Sequence, residues 1–316
     1  MDGVLKNKKC IFGRKLPLTN SKAKKDRIWE LDFIRGICVL LMIWDHFMYD
    51  IADIFGSAWQ KANPVHSGFY DFALNYESSM LREIFHPIIF SLFFILCGIS
   101  CNLSRNNLKR GVQVLFVAFA ITAVTSMFDT SITFGVLHML AFSILIYFII
   151  SKICCENKKI ISMVCLIAGV VIWIVTQVYS ANPPDNLNSD LAFIADYFGG
   201  ASYSSADYFP ILPNLAYVLL GASIGTFVYG DRKSILPILD KYGWHKPVSF
   251  WGNKALLVYI LHQPLIILLL SLISYLFITP GNFVFIWLAE TAIYQLLVGE
   301  KKIKQFHAFI SNLHLF

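Results

Sequence analysis

The chain has 316 residues, 57% of them apolar and only 15% charged, against roughly 45–50% and about 25% in soluble domains. Such a chain cannot cover its own surface with polar groups, and a mean hydropathy of +0.61 with 27 Phe and 7 Trp makes lipid its solvent, which excludes a soluble globule. The net charge of +6 does not point to nucleic acid, because the basic residues fall between apolar runs, where they mark topology.

A helix needs about 20 mostly apolar residues to cross the hydrocarbon. In chain order the sequence predicts eight such spans, at 31–50, 87–103, 111–128, 133–151, 160–179, 211–229, 248–277 and 282–299, an all-α polytopic bundle. A basic segment, 1–28, precedes the bundle of 29–300, and a tail, 301–316, follows it.

The distribution of Lys and Arg orients the bundle. Of 26 basic residues, 22 lie in the N-terminal segment, the even-numbered connections and the tail, including Arg110, Lys152, Arg232 and Lys301. The odd-numbered connections hold only Lys61 and Arg82 against ten acids between Asp50 and Asp207, while Arg35 and Lys254 fall inside predicted spans. Both termini are therefore expected in the cytoplasm.

No cleavable signal peptide is expected, since the first apolar run carries Asp32 and Arg35 where an uninterrupted apolar region is required. The seven Cys are scattered and imply no disulfide framework. Two outer connections, 51–86 and 180–210, are long enough to serve as lids over a site or as solvated spacers. No internal repeat is evident, which removes one common mark of a secondary transporter.

Ionisable residues within spans are costly and point to function. On the first span Arg35 enters from the cytoplasmic side and His46 follows eleven residues later. At about 100° and 1.5 Å per residue the two share a face within roughly 20°, about 16 Å apart along the axis. Arg35, Val39, Met42, His46 and Asp50 form one stripe. Its structural reading is an Asp32–Arg35 pair with the arginine reaching to phosphates; its functional reading is a channel with a fixed cation at the inner mouth and a titratable base near the outer end. His86 opens the second span, His138 lies early in the fourth, His262 lies mid-span in the seventh, and Asp129 precedes the fourth. Each histidine alone reads as a packing residue, but four on membrane helices suggest proton transfer.

No His-x-x-His, His-x-x-x-His or Cys-x-x-Cys pair occurs, so no metal is expected. Gly221-Ala222-Ser223-Ile224-Gly225 is a small-xxx-small pattern that predicts close helix packing.

The opening Leu31-Asp32-Phe33-Ile34-Arg35-Gly36 with His46 resembles the first helix of the transmembrane acyltransferase superfamily. Further blocks are Phe94-Ile95-Leu96-Cys97-Gly98-Ile99-Ser100, Phe134-Gly135-Val136-Leu137-His138, and Asp207-Tyr208-Phe209-Pro210-Ile211-Leu212-Pro213 through Gly221. Together they resemble, over about 28–275, the catalytic domain family of heparan-α-glucosaminide N-acetyltransferase, whose bacterial members are classed as a domain of unknown function. Gly252-Asn253-Lys254 through His262-Gln263-Pro264 is similar to the penultimate-helix motif of sugar O-acyltransferases.

The resemblance implies acyl transfer from cytoplasmic acyl-CoA, the donor substrate, to an amino or hydroxyl group of an extracytoplasmic sugar or glycan. Arg35, Lys254 and Asn253 are then the donor-binding candidates. His46 is the candidate general base; His262 or His138 would position the acceptor or polarise the carbonyl; Asp45 or Asp129 would orient an imidazole. In the lysosomal animal branch the histidine assigned to catalysis follows the first helix, which makes His66 and His86 rivals of His46. Acyl transfer through an acyl-histidine is an open second route. Expected surroundings are a bacterial cytoplasmic membrane and its lipid, with a homodimer left open. A transporter or flippase using the same stripe is the alternative reading.

Overall fold

The computed structural model describes residues 27–62, 67–128, 132–181 and 208–277, and every regular element among them is helical. Six helices are long and apolar enough to cross a membrane, which makes this a multi-pass membrane protein. They are α4 (Met80–Leu103), α5 (Asn107–Thr125), α6 (Val136–Ile153), α7 (Lys158–Ala181), α8 (Ile211–Val228) and α10 (Ala255–Phe277), as numbered here along the chain. Helix α1 (Trp29–Tyr49) has the length of a span but carries Glu30, Asp32, Arg35 and Asp45 and is not among the six. The expected last span, 282–299, lies outside the described residues, as do His66 and Asp129.

Two boundaries differ from the sequence expectation. The second span starts at Met80, where the Ser79 side chain caps the helix by accepting from the Arg82 N–H, so His86 lies within the helix. The run 248–277 is two helices, α9 (Lys246–Asn253) and α10, broken at Lys254, whose N–H bonds to the Gly252 and Trp251 carbonyls. The 51–86 connection is also largely helical. From α1 the chain passes directly into a π-helical turn, Asp50–Phe55, then α2 (Gly56–Ala62) and α3 (Ser67–Glu77).

Glycines set the closest contacts. A Cβ at Gly98 would overlap the Val218 carbonyl, and one at Gly221 would overlap the Ile95 carbonyl, so α4 and α8 meet backbone to backbone through the stripe that includes Gly225. Gly36 and Gly252 do the same for α1 and α9, facing the Val248 and Asp32 carbonyls. The main core lies among α4 to α8, around Phe94, Met139, Val218 and Leu219. A second cluster, Met48, Ile51, Trp59, Ala73, Ile266 and Leu270, joins the end of α1 and the short helices to α10, where Trp59 Nε1 donates to Ser274 Oγ at 2.7 Å. Outside these cores Phe116, Ile153, Phe227 and Leu268 are exposed, as befits surfaces solvated by acyl chains.

At the start of α1 the buried Glu30 carboxylate accepts from Ser234 Oγ and the Ile235 N–H, fixing the segment before α9 against α1. Trp29 and Phe33 pack on Trp244 and extend that contact.

Candidate active site

From Val39 onward the stripe on α1 faces α10, while Arg35 turns to Ser100 of α4. Val39, 1% exposed, packs with Ala255 and Val258; Met42 and Ile43 flank them. One turn further on, the rings of His46 and His262 lie 4.9 Å apart between centroids. Asp50, 1% exposed, accepts from Gln263 Nε2 at 2.9 Å through both carboxylate oxygens. Thus His46 and His262 are brought together, with an Asp50–Gln263 pair beside them. The π-helical turn that begins at Asp50 widens the helix here, a distortion that recurs at functional sites.

His262 is 7% exposed, and its Nδ1 donates to the Tyr259 carbonyl at 2.6 Å. That hydrogen bond assigns the neutral ring the tautomer with an unprotonated Nε2, an acceptor. Gln263 Oε1 is buried without a hydrogen-bond partner among the described residues. The His46 and His262 rings and the Asp50–Gln263 pair lie at this end of the seam.

At the opposite end of α1, Arg35 bonds Asp32 at 2.9 Å and Ser100 Oγ of α4 at 2.8 Å, with its side chain 18% exposed. Arg27 shares the Asp32 carboxylate at 2.7 Å. Asn253 and Lys254 are exposed at the α9–α10 break, next to the Gly252 that packs on α1 beside Asp32 and Gly36. The Lys254 Nζ lies 4.4 Å from the Phe250 ring centroid.

Asp45 adjoins His46 in sequence but projects from another face of α1. It holds Arg82 Nε at 2.8 Å, His86 Nε2 at 3.4 Å and the Tyr76 hydroxyl at 3.2 Å, while Arg82 also pairs with Glu77 at 3.0 Å. The imidazole it orients is therefore His86. Burial and the neighbouring Asp45 carboxylate push the Tyr76 phenol up to about 12, which keeps it an O–H donor to Asp45.

His138 does not reach this cluster. It is 3% exposed at the start of α6, where its Nδ1 accepts from the Gly135 N–H and its Nε2 faces Thr122 Oγ1 at 3.3 Å. Phe119 and Phe134 lie at 5.3 and 5.6 Å on either side. Both ring nitrogens are engaged in holding α6 to α5 and its own N-terminus.

Sequence reasoning did not single out Gln263, Ser100 or Arg110 as site residues. Gln263 follows His262 in the quoted motif, and that adjacency was the available signal. Arg110 counts as a topology marker in the sequence, yet its guanidinium reaches the Cys97 and Cys101 sulfurs at 3.6 and 3.8 Å. Among the described residues no three His, Cys, Asp or Glu side chains gather as a metal site.

A family model described as heparan-alpha-glucosaminide N-acetyltransferase, catalytic, matches residues 27–264, which take in both ends of the α1 seam. The chain belongs to that family. It is accordingly a membrane acetyltransferase by family, and the match extends through Gln263 to Pro264. Neither the curated proteins nor the solved structures yield a match.

Proposed function

We propose that the protein moves an acetyl or other acyl group from cytoplasmic acyl-CoA to an amino or hydroxyl group of an extracytoplasmic sugar or glycan. The observation that carries this reading is the α1 seam, with Arg35 at one end and the His46–His262 pair about 16 Å further along the helix. The asymmetry of Lys and Arg supports cytoplasmic termini, which puts Arg35 on the donor side and His46 on the acceptor side. The surrounding membrane is then the bacterial cytoplasmic membrane.

In this mechanism Arg35, with Asn253 and Lys254 nearby, binds donor phosphate while the pantetheine arm runs along the seam. His46 takes a proton from the acceptor as its nitrogen or oxygen attacks the thioester carbonyl. A C–N or C–O bond forms, the C–S bond breaks, and the CoA thiolate leaves with the electron pair and is protonated. Gln263 Oε1 and, in the tautomer set by the Tyr259 carbonyl, His262 Nε2 are acceptor atoms, which suits them to an acceptor's N–H or O–H groups. Asp50 positions Gln263 for that contact.

Purified protein in proteoliposomes, given acetyl-labelled acetyl-CoA on one side and glucosamine-type acceptors on the other, tests the reading. Label should move to the acceptor, with free CoA released and no ion gradient required. Intact thioester with gradient-driven solute uptake would sink it and favour the transporter reading.

A further inference from the structure

The connection between α8 and α10, residues 229–254, is neither a span nor a polar loop. Its longest helix is α9, of eight residues, so α8 and α10 open onto one face of the membrane and tether the connection there at both ends. Contacts to α1 hold it in place. The Glu30 carboxylate accepts from Ser234 Oγ and the Ile235 N–H, Trp29 Nε1 donates to the Leu236 carbonyl at 3.3 Å, and Gly252 closes on Asp32 and Gly36.

Other large side chains of the connection are left uncovered. Ile238 and Tyr242 are 70% and 75% exposed, Phe250 and Trp251 52% and 42%. Interleaved with them are Arg232, Lys233, Lys241, Lys246 and Lys254, all exposed, against the two acids Asp231 and Asp240. Among the described residues no carboxylate pairs with any of the five cations, and Asp240 faces His245 at 3.1 Å. A contiguous exposed apolar patch marks an interaction surface, while lysine is costly inside a span. Rings and alkyl groups mixed with Lys and Arg suit the boundary between water and hydrocarbon, where the apolar groups enter the acyl layer and the cations reach phosphate. The bilayer is the apolar phase to which this connection is already tethered, and its unpaired cations select negative headgroups.

We propose that residues 232–251 form an in-plane anchor in the headgroup layer and that its partner is anionic phospholipid. Ile238, Tyr242, Phe250 and Trp251 enter the acyl boundary, and Arg232, Lys233, Lys241 and Lys246 hold lipid phosphates. On the orientation read from the basic residues this is the cytoplasmic leaflet, but the anchor depends neither on that orientation nor on the acyl-transfer reading. Phe250 and Trp251 belong to the helix whose Gly252 closes on α1, so lipid bound here also braces α9 against α1.

The test compares three forms of the full chain: wild type, the triple variant Lys233→Gln, Lys241→Gln, Lys246→Gln, and a control triple, Lys109→Gln, Lys152→Gln, Lys159→Gln. The control removes the same charge from exposed lysines of the other connections on that face. Each is melted in nanodiscs of phosphatidylcholine and in nanodiscs of equal parts phosphatidylcholine and phosphatidylglycerol. Phosphatidylglycerol retained after transfer to detergent is counted by native mass spectrometry. Wild type and the control should melt higher with phosphatidylglycerol and should retain it. The first triple should lose that rise, and its affinity for phosphatidylglycerol should fall tenfold or more, since a basic residue near an anionic surface is worth about fivefold. Equal losses in the two triples would reduce the effect to overall charge and overturn the anchor.

The apolar contact is tested by placing the photocrosslinker p-benzoylphenylalanine at Tyr242. Illumination in the mixed nanodiscs should add the mass of one phospholipid. A covalent dimer would assign the surface to a second copy of the chain, and the absence of any adduct would leave it in water; either result overturns the proposal. Should the first triple not fold, acetylation of lysines in the unaltered chain decides, read by peptide mass spectrometry. Protection of Lys233, Lys241 and Lys246 by phosphatidylglycerol, with Lys109, Lys152 and Lys159 unprotected, supports the anchor, and equal labelling of both sets overturns it.

Discussion

Replacing His46 by alanine removes the ring that faces His262 at 4.9 Å and should do so without unfolding the protein, because His46 is only half-buried. General-base catalysis by one positioned side chain is worth about 10²–10⁴ in rate, or about 3–5 kcal/mol of transition-state stabilisation. Turnover of His46→Ala should drop by that factor. Donor affinity should stay within about threefold, since eleven residues of helix rise, about 16 Å, separate His46 from Arg35. The partner variant, His262→Ala, extends the test. If both rings serve one proton transfer, the double variant costs little more than the worse single one, because residues acting as a unit are strongly non-additive. The assay is turnover of labelled acetyl-CoA with glucosamine-type acceptors, alongside calorimetric CoA binding, for all three proteins and for His86→Ala and His138→Ala. Near-normal turnover in His46→Ala with a dead His86 variant would move the chemistry to the Asp45–His86 cluster and refute the assignment. A double variant whose loss equals the product of the single losses would show that the two rings act independently.

Arg35→Ala should raise KM for acyl-CoA with kcat nearly kept, as removal of uniform binding does, and Lys254→Ala should do so more mildly because that side chain is exposed; steady-state kinetics decide, and a fallen kcat at unchanged KM would misplace Arg35. Gly98→Leu should force α4 away from α8, since even a Cβ there overlaps the Val218 carbonyl, and should lower the melting temperature and the yield of folded protein, whereas Gly68→Ala, with open space around it, should not. Reporter fusions at residues 65, 190 and 316 should report outside, outside and inside respectively; an inside signal at 190 would overturn the orientation read from the basic residues.

The part of this architecture legible in the sequence is the part encoded along a single helix. Residues 35, 39, 42, 46 and 50 recur at helical spacing, and from Val39 onward they meet α10, whereas Arg35 bonds Ser100 of α4. Likewise Gly221 and Gly225 signal a close approach, and they make one. What one helix cannot encode is the azimuth of its partners. The pairing of His262 with His46, and of His138 with Thr122, depends on how α10 and α6 are rotated in the bundle. The break at Lys254 is hidden because apolar residues on both sides of it merge into one hydropathic run, although Gly252-Asn253 is a helix-stop signal. Counting charges made Arg110 a topology marker in a cytoplasmic connection, since a tally by position does not register which way a side chain turns.

The seam between α1 and α9–α10 is polar at both ends and apolar between them, and that pattern bears on how a thioester could cross. Arg35 and Asp32 lie at one end, His46, His262, Asp50 and Gln263 at the other, and Val39, Met42, Ile43, Ala255 and Val258 separate them. A continuous polar channel would leak water and protons through the bilayer and expose the thioester to hydrolysis. An apolar middle, packed through Val39, Ala255 and Val258, offers such a path no hydrogen-bonding groups; on the proposed reading the pantetheine arm of the donor has to part these side chains to follow it. On the proposed reading, the break at Lys254 belongs to the same arrangement. Gly252 brings α9 onto α1 at the depth of Asp32 and Gly36, and α10 starts from there, so its residues fall in step with those of α1. The close glycine contact at the donor end thereby fixes the register that sets His262 against His46 at the acceptor end.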